Sequence, residues 1–171
     1  MEILISESDI AAKVAELAET IRKDYGLADL VLVGILKGSI FFLSDLAKHL
    51  GVNVTMDFIQ TSSYAGEKSS SGVVQIRKDL DSSIEGKHVL LVEDIIDTGL
   101  TLNHLRELLE TRKPASLKVV SLLSKPGARK HETQIDYLGF EIPEKFVVGY
   151  GLDYAERYRN LPFIAVLTDE A

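Results

Sequence analysis

The sequence predicts an α/β domain built around a parallel sheet. Three aliphatic runs, at residues 30–35, 89–92 and 117–123, are of the kind expected for strands that are covered on both faces. The first two runs each lead through a glycine-containing turn into apolar residues at helical spacing. Because parallel α/β sheets bring such turns to the carboxyl ends of the strands, we expect a ligand site at that edge.

The first element is predicted to be a helix that ends at Gly26. Ser8 or Asp9 is its expected N-cap, and its apolar residues share one face. That face consists of Ile10, Val14, Leu17, Ala18, Ile21 and Tyr25. The later helices are predicted at residues 40–50 and 101–112, and the strands at residues 30–35, 52–61, 73–77, 89–92, 117–123, 136–140, 145–148 and 163–167.

Length and composition indicate a single globular domain, spanning residues 1–171, large enough to bury a core. No apolar run approaches the roughly 20 residues that span a bilayer, and acids at Glu2, Glu7 and Asp9 argue against a signal peptide. Cysteine is absent, which excludes disulfides and thiolate metal sites. The formal net charge of −7 disfavours nucleic acid as a partner. A cytoplasmic enzyme without a membrane partner is therefore expected.

The stretch from residue 89 to residue 101 predicts an anion site. Its aliphatic strand is followed by Glu93 and Asp94, then by Asp97 and the small polar series 98–101, where a helix begins. Backbone N–H groups in the first turn of a helix are free to bind an anion, and the helix dipole favours negative charge there. Residues 97–101 are therefore expected to surround one phosphate group.

The two acids at the end of the strand indicate a second role for the same site. Glu93 and Asp94 suit a sugar diol, a hydrated Mg²⁺ or both, so that the implied ligand is a phosphorylated sugar with further charge. The simpler alternative is that the acids only complement the dipole of the following helix. Three acids at fixed offsets after a buried strand favour the ligand site.

The stretch 89–102 resembles the phosphoribosyl-pyrophosphate signature of type I phosphoribosyltransferases: four hydrophobic residues, two acids, two hydrophobic residues and D-T-G-x-T. The signature often carries Lys or Arg at the variable position, where this chain has Leu100. Since that residue contributes mainly its backbone N–H, phosphate binding is expected to survive. Further segments are similar to the hypoxanthine-guanine phosphoribosyltransferases, in the same order: Leu36-Lys37-Gly38, Asp57-Phe58, Ser63-Tyr64, residues 121–125 and residues 139–154.

The resemblance implies a parallel five-stranded core sheet flanked by helices, with a small hood from the N-terminal and late C-terminal segments. It implies transfer of a phosphoribosyl group from phosphoribosyl pyrophosphate to hypoxanthine and guanine, Mg²⁺ as cofactor, and a homodimer or homotetramer. Residues 62–72 alone predict a disordered hairpin tip, whereas the resemblance places a mobile active-site lid there. The histidines at 49, 88, 104 and 131 lie in no metal-ligand spacing.

By resemblance, Asp97 is the catalytic group beside N7 of the purine, and a carboxylate in that position can accept a proton. The phosphoribosyl contacts expected from the match are Glu93, Asp94, Asp97, Thr98, Gly99, Leu100 and Thr101. The implied metal contacts are Glu93, Asp94 and Asp153. The purine contacts are Ile95, Lys125, Phe146, Val147 and Asp153.

Lys125 would donate to O6 of the base, since a lysine ammonium has only donors. Alone, a lysine after a strand is more often a solvated surface residue. The pyrophosphate contacts implied by the resemblance are Lys37, Gly38, Ser63, Tyr64, Arg129 and Arg159. Without the resemblance Arg159 would be expected in a surface ion pair. The Leu36–Lys37 peptide matches one that is cis in these enzymes when substrate is bound.

Two alternatives remain at this point. One is a sibling enzyme that prefers xanthine, because single substitutions near the 2-position of the base decide that preference. The other is a regulator with this fold that binds RNA, similar to the pyrimidine-operon attenuation proteins. The acidic balance of the chain argues against the second alternative.

Overall fold

The computed structural model describes residues 1–63 and 74–168. The helices are α1 (Glu7–Tyr25), α2 (Ile40–Lys48) and α3 (Leu100–Glu110), with a short 3₁₀ turn at Pro126–Ala128. The strands are β1 (Glu2–Ile5), β2 (Leu30–Leu36), β3 (Val54–Ser63), β4 (Val74–Lys78), β5 (His88–Ile96), β6 (Ser116–Ser124), β7 (Tyr137–Glu141), β8 (Val147–Val148) and β9 (Ile164–Val166).

The main sheet has the strand order β4-β3-β2-β5-β6-β7. Strands β3, β2, β5, β6 and β7 pair in parallel, which confirms the predicted five-stranded core. Strand β4 runs antiparallel beside β3 and adds a sixth strand at the edge. A second sheet, β1-β9-β8, is antiparallel and combines the N-terminal strand with two late strands. This small sheet is the hood.

Both faces of the main sheet are buried, which explains its continuous aliphatic strands. Alternate residues of β5 point to opposite faces: Leu90 and Val92 pack in the cluster that contains residues of α1 and α2. Val89 and Leu91 pack in the cluster that contains residues of α3. The turns that precede α2 and α3 consequently lie at the carboxyl edge of the sheet, where the sequence predicts the ligand site.

The predicted N-cap of α1 was wrong. The capping residue is Ser6, whose Oγ accepts a hydrogen bond of 3.1 Å from the backbone N–H of Asp9. Asp9 is the third helical residue, so its N–H is one of the donors that a cap satisfies. Ser8 and Asp9 therefore lie inside the first turn. None of the helices that the structure describes combines the length and apolar character needed to cross a bilayer.

Asp57 joins β3 to the segment that follows β4, and its loss is expected to destabilise the fold. Its buried carboxylate accepts hydrogen bonds from the backbone N–H groups of Phe58, Asp81 and Ser82, at 2.8 to 3.3 Å. The variant Asp57→Ala leaves these donors unpaired, and we expect unfolding to become easier by about 2–4 kcal/mol. Chemical denaturation measures the change.

The matched control for that experiment is Asp81→Ala. The Asp81 side chain is 81% exposed and pairs with Lys78 at the surface, so its removal should cost less than about 1 kcal/mol. Equal losses for the two variants would contradict the role given to Asp57.

Candidate active site

Three segments that are distant in sequence touch at the carboxyl edge of the sheet. A Cβ atom added to Gly38, after β2, would lie 1.9 Å from Oδ2 of Asp94, at the end of β5. A Cβ added to Gly151, in the loop after β8, would lie 2.0 Å from the carbonyl oxygen of Gly38. Because only glycine permits these approaches, Gly38 and Gly151 bring the Lys37 turn, the acids and the loop of Asp153 together.

The bend between β5 and α3 presents free backbone donors. The first helical hydrogen bond runs from the N–H of Asn103 to the carbonyl of Gly99, at 3.1 Å. Within the described residues the N–H groups of Thr101 and Leu102 have no acceptor. Asp97 Oδ1 accepts from the N–H of Thr98 at 2.7 Å. A cavity of about 190 Å³ opens here, lined by Glu93, Ile95, Ile96, Asp97, Gly99, Thr101 and Leu102.

Gly99 is required at this bend for two independent reasons. Its φ of +86° lies in the left-handed region, and an added Cβ would lie 2.1 Å from Oγ1 of Thr133. We expect Gly99→Ala to distort the bend and to weaken binding of a nucleoside 5′-monophosphate by about tenfold to 100-fold, as lost phosphate contacts are charge-assisted. Calorimetric titration with IMP, the kind of purine nucleotide that the sequence resemblance implies, measures this loss.

Gly86 provides the matched control for Gly99. It also has a positive φ, of +71°, but nothing lies within 4 Å of an added Cβ, and it precedes β5 at the opposite edge of the sheet. Gly86→Ala should therefore cost stability while leaving the affinity for IMP unchanged. A Gly99→Ala protein that binds IMP normally would contradict the geometry of the bend.

Residues 129–131, which follow β6, stabilise the bend at residues 97–101 through hydrogen bonds to its backbone carbonyls. The N–H groups of Lys130 and His131 both donate to the carbonyl of Thr98, at 3.1 Å. The guanidinium of Arg129 donates to the carbonyl of Asp97 at 2.9 Å and to Oγ of Ser124 at 2.7 Å. Arg129 thus ties the ends of β5 and β6 together. The pyrophosphate contact expected of it stays a prediction.

Glu93 and Asp94 are half-buried acids beside each other. Burial raises the pKa of the Glu93 carboxyl well above its usual range, and the charge of Asp94 raises it further. Burial also raises the pKa of Asp94, against the opposing effect of the hydrogen bond that its Oδ1 accepts from the N–H of Ile95. A cation or hydroxyl donors placed here would stabilise the charged carboxylates, because they would replace missing solvation, and a cation would also offset the repulsion between the two charges.

Two basic side chains contact the third segment of the site, the loop that contains Asp153. Arg159 donates to the carbonyl of Gly151 at 2.7 Å and forms an ion pair of 3.4 Å with Asp153. Lys37 forms an ion pair of 3.0 Å with Glu156, in the turn after Asp153. The peptide bond between Leu36 and Lys37 is cis. Cations therefore surround the loop that approaches Asp94.

The edge of the site toward the hood offers an aromatic surface. The Phe146 side chain is 51% exposed and meets Tyr154 edge-to-face, with ring centroids 5.8 Å apart. Val147 follows it in β8 and is buried, paired with Val166. Lys125 follows β6, and its N–H donates to the carbonyl of Ile96 at 2.9 Å. An exposed aromatic ring suits a planar heterocycle, on which it can stack.

A model of the phosphoribosyl transferase domain matches residues 4–155 of the sequence. The chain belongs to the phosphoribosyltransferase family. It is 52% identical over 166 residues to the hypoxanthine-guanine phosphoribosyltransferase of Bacillus subtilis (strain 168), an alignment that covers 97% of this chain and 92% of that protein. It is 50% identical over 169 residues to the Streptococcus pneumoniae (strain R6) protein of the same name, covering 99% and 94% of the two chains.

Solved structures show the same fold. A hypoxanthine phosphoribosyltransferase from Staphylococcus aureus superposes with a TM-score of 0.94 at 52% identity, covering 98% of this chain and 91% of that chain. A hypoxanthine-guanine phosphoribosyltransferase from Bacillus anthracis, solved with a HEPES molecule in its active site, also gives 0.94 at 47% identity, covering 98% and 99%. These matches confirm the type I phosphoribosyltransferase fold.

Most of the residues expected to form the phosphoribosyltransferase site lie in the three contacting segments or in the hood beside them. Tyr64 lies outside the described residues, and of Ser63 only the backbone at the end of β3 is described. The predicted lid at residues 62–72 falls mostly outside them as well. The contacts expected of these residues stay predictions.

Two residues that contact expected site residues were not among those predicted from the sequence. Tyr154 contacts Phe146, and Glu156 contacts both Lys37 and Arg159. The only available signal was their position next to Asp153. Nothing in the residue types indicated a tight turn there, because Ala155 and Glu156 adopt positive φ values that such residues rarely take.

Proposed function

We propose that this protein is a purine-salvage enzyme that transfers the 5-phosphoribosyl group of phosphoribosyl pyrophosphate to N9 of hypoxanthine and guanine. The products are IMP or GMP and pyrophosphate. The observation that carries the proposal is the bend at residues 97–101 and the start of α3, where the free N–H groups of Thr101 and Leu102 lie in one cavity with Glu93. The names and high identities of the relatives support the same reaction.

In the proposed reaction, one set of residues acts on the pyrophosphate leaving group and another acts on the purine base. The bond from C1′ to the pyrophosphate oxygen breaks, and the bond from C1′ to N9 forms. The transition state at such an anomeric carbon resembles an oxocarbenium ion, so the leaving group needs stabilisation by cations. Lys37 and Arg159 supply positive charge at that end. Asp97 takes the proton that the base loses at N7.

The purine contacts explain the choice of base. Phe146 stacks on the heterocycle through its exposed face, and the backbone of Val147 together with Asp153 binds the far edge of the ring. The Lys125 ammonium donates to O6. Adenine places a donor at that position, and a mismatch of buried polar groups of this kind discriminates by about 10⁴-fold.

Magnesium fits the acids of this chain. Glu93 and Asp94 are poorly solvated carboxyls that a cation would stabilise, and Asp153 lies in the loop that Gly38 and Gly151 bring close. In the described part of the chain no three acids or histidines are grouped closely enough to hold a metal alone. That is typical of Mg²⁺, which binds through one or two carboxylates, waters and substrate phosphates. When bound, the ion would offset charge on the pyrophosphate.

A side-by-side assay of four bases tests the proposal. Hypoxanthine, guanine, xanthine and adenine are each incubated with phosphoribosyl pyrophosphate and Mg²⁺, and nucleotide and pyrophosphate are measured. With hypoxanthine or guanine we expect nucleotide and pyrophosphate to form in equal amounts. With adenine we expect neither product. A strong preference for xanthine would favour the sibling activity, and no nucleotide from any base would overturn the proposal.

The assembly and location expected from the resemblance also belong to this proposal. The protein is expected to be a cytoplasmic homodimer or homotetramer. Light scattering during size-exclusion chromatography gives the mass of the assembly, to be compared with the chain mass of 18.9 kDa. A mass of one chain at micromolar concentration would contradict the expectation.

A further inference from the structure

Glu156 forms ion pairs with Lys37 and Arg159, the two cations to which the proposed reaction binds pyrophosphate. One carboxylate oxygen lies 3.0 Å from Nζ of Lys37 and 3.3 Å from Nη2 of Arg159. Its other oxygen lies 3.4 Å from the same Arg159 nitrogen. Lys37 and Arg159 come from segments that are 122 residues apart, so a single acidic side chain joins them.

The backbone presents Glu156 in an uncommon way. Ala155 and Glu156 have φ values of 51° and 65° between Tyr154 and Arg157, which exchange two hydrogen bonds of 3.0 Å. A two-residue turn with both central residues at positive φ is favoured by Asn-Gly, Asp-Gly or Gly-Gly sequences. Non-glycine residues held in this region cluster at ligand sites and switches.

Asp153 supports the same turn. Its Oδ2 accepts a hydrogen bond of 2.9 Å from the N–H of Glu156, while its Oδ1 pairs with Arg159. The turn is thereby connected to an expected metal contact. The Glu156 side chain is 65% exposed, so it has room to rotate toward solvent although its backbone is held in the turn.

The ion pairs of Glu156 with Lys37 and Arg159 are weak enough for a stronger anion to replace them. The Lys37 ammonium, and after it the Arg159 guanidinium, hold the pKa of the Glu156 carboxyl below its usual range, so the group is charged at neutral pH. An exposed ion pair of this kind is weak and easily exchanged. Pyrophosphate carries more charge and more acceptor oxygens than one carboxylate, and it cannot use donors that Glu156 occupies.

We propose that Glu156 is an internal substitute for pyrophosphate, which holds Lys37 and Arg159 when the site is empty and leaves them when phosphoribosyl pyrophosphate or pyrophosphate binds. The inference rests on the proposed function, because it needs these two cations to bind the pyrophosphate group. It makes Glu156 a competitor of the ligand and thereby a residue that sets the affinity for pyrophosphate.

Calorimetric titration with inorganic pyrophosphate and Mg²⁺ tests the inference. The variant Glu156→Gln removes the charge and keeps the shape of the side chain, and Glu156→Gly removes the side chain while suiting the positive φ. Both are expected to bind pyrophosphate about threefold to tenfold more tightly than the wild type, as expected from releasing two exposed ion pairs. The KM for phosphoribosyl pyrophosphate should fall in the same proportion.

Two controls separate competition from a general change in the protein. IMP has no pyrophosphate, so its affinity should be the same in the wild type and in both variants, whereas structural damage would weaken both ligands. Glu110→Gln removes the same charge at the exposed end of α3, in none of these contacts, and should leave pyrophosphate binding unchanged.

The outcomes also distinguish the inference from the function on which it rests. If the wild type forms IMP but both variants bind pyrophosphate equally or more weakly, Glu156 is no substitute and the salvage activity stands. Weaker binding in particular would mean that Glu156 orients the cations for the ligand. If the wild type neither forms IMP nor binds pyrophosphate, both the inference and the proposed function fail.

Discussion

Replacing Asp97 with asparagine is expected to lower the kcat for IMP formation by about 100-fold to 10,000-fold, the usual contribution of a positioned general acid or base. Asparagine keeps an oxygen for the hydrogen bond that Asp97 Oδ1 accepts from the N–H of Thr98. The bend should therefore keep its shape. The amide cannot take up the proton that the purine loses at N7, so the loss falls on the chemical step.

Steady-state kinetics combined with IMP titration measures both parts of this prediction. The KM for hypoxanthine and the Kd for IMP should change less than about threefold, since most binding contacts are retained. Asp29→Asn is the matched control, because Asp29 is an exposed acid just before β2, at the opposite edge of the sheet. Normal turnover in the Asp97→Asn protein would remove Asp97 from its catalytic role.

Replacing Glu93 with glutamine is expected to abolish most activity and to stabilise the fold. The loss of activity follows because Glu93 is expected to bind the ribose diol and Mg²⁺; we expect a fall in kcat/KM of about 100-fold or more. The gain in stability follows from the pKa of the Glu93 carboxyl, which burial and the Asp94 charge raise. Functional sites commonly carry such a cost in stability.

The raised pKa determines how this gain depends on pH. In the unfolded chain the carboxyl titrates near its ordinary value of 4.5, but in the folded protein it holds its proton to higher pH. Above pH 4.5 folding must therefore retain a proton or bury a charge, so the free energy of unfolding falls as pH rises through the window between the two values. Above the folded value the penalty is complete.

Thermal unfolding in EDTA tests the predicted direction of this pH dependence directly. The Tm of Glu93→Gln minus that of the wild type should grow from pH 4.5 toward pH 8. Adding Mg²⁺ at pH 8 should raise the Tm of the wild type more than that of the variant, because the ion binds the charged carboxylate. Glu85→Gln, at an exposed position, should show neither effect. A difference in Tm that shrinks with rising pH would contradict the account.

The parts of the site that are contiguous in sequence were the parts that could be predicted. Strand β5, the bend at residues 97–101 and helix α3 follow one another without interruption, so periodicity and turn chemistry predicted them together. The loops after β2 and β6 were also expected at this edge, because parallel strands require it. The roles of Lys125 and Asp153, by contrast, came only from the resemblance.

The features that were missed depend on contacts between distant segments. Strand β1 is four residues long and mostly exposed, so it has no clear pattern until it pairs with β9. The contact of Glu156 with Lys37 requires a turn at Ala155 and Glu156 that neither residue type favours. Ser6 caps α1 through a side chain that any of three nearby polar residues could have provided.

In the proposed reaction, the bend at residues 97–101 binds the 5′-phosphate of the sugar while the acids next to it bind the ribose. A crystal structure of the protein with IMP and Mg²⁺ tests it most directly. We expect phosphate oxygens to accept hydrogen bonds from the N–H groups of Thr101 and Leu102, Glu93 and Asp94 to face the ribose hydroxyls, and Lys125 to lie beside O6. A phosphate bound elsewhere, with these N–H groups facing no anion, would contradict it.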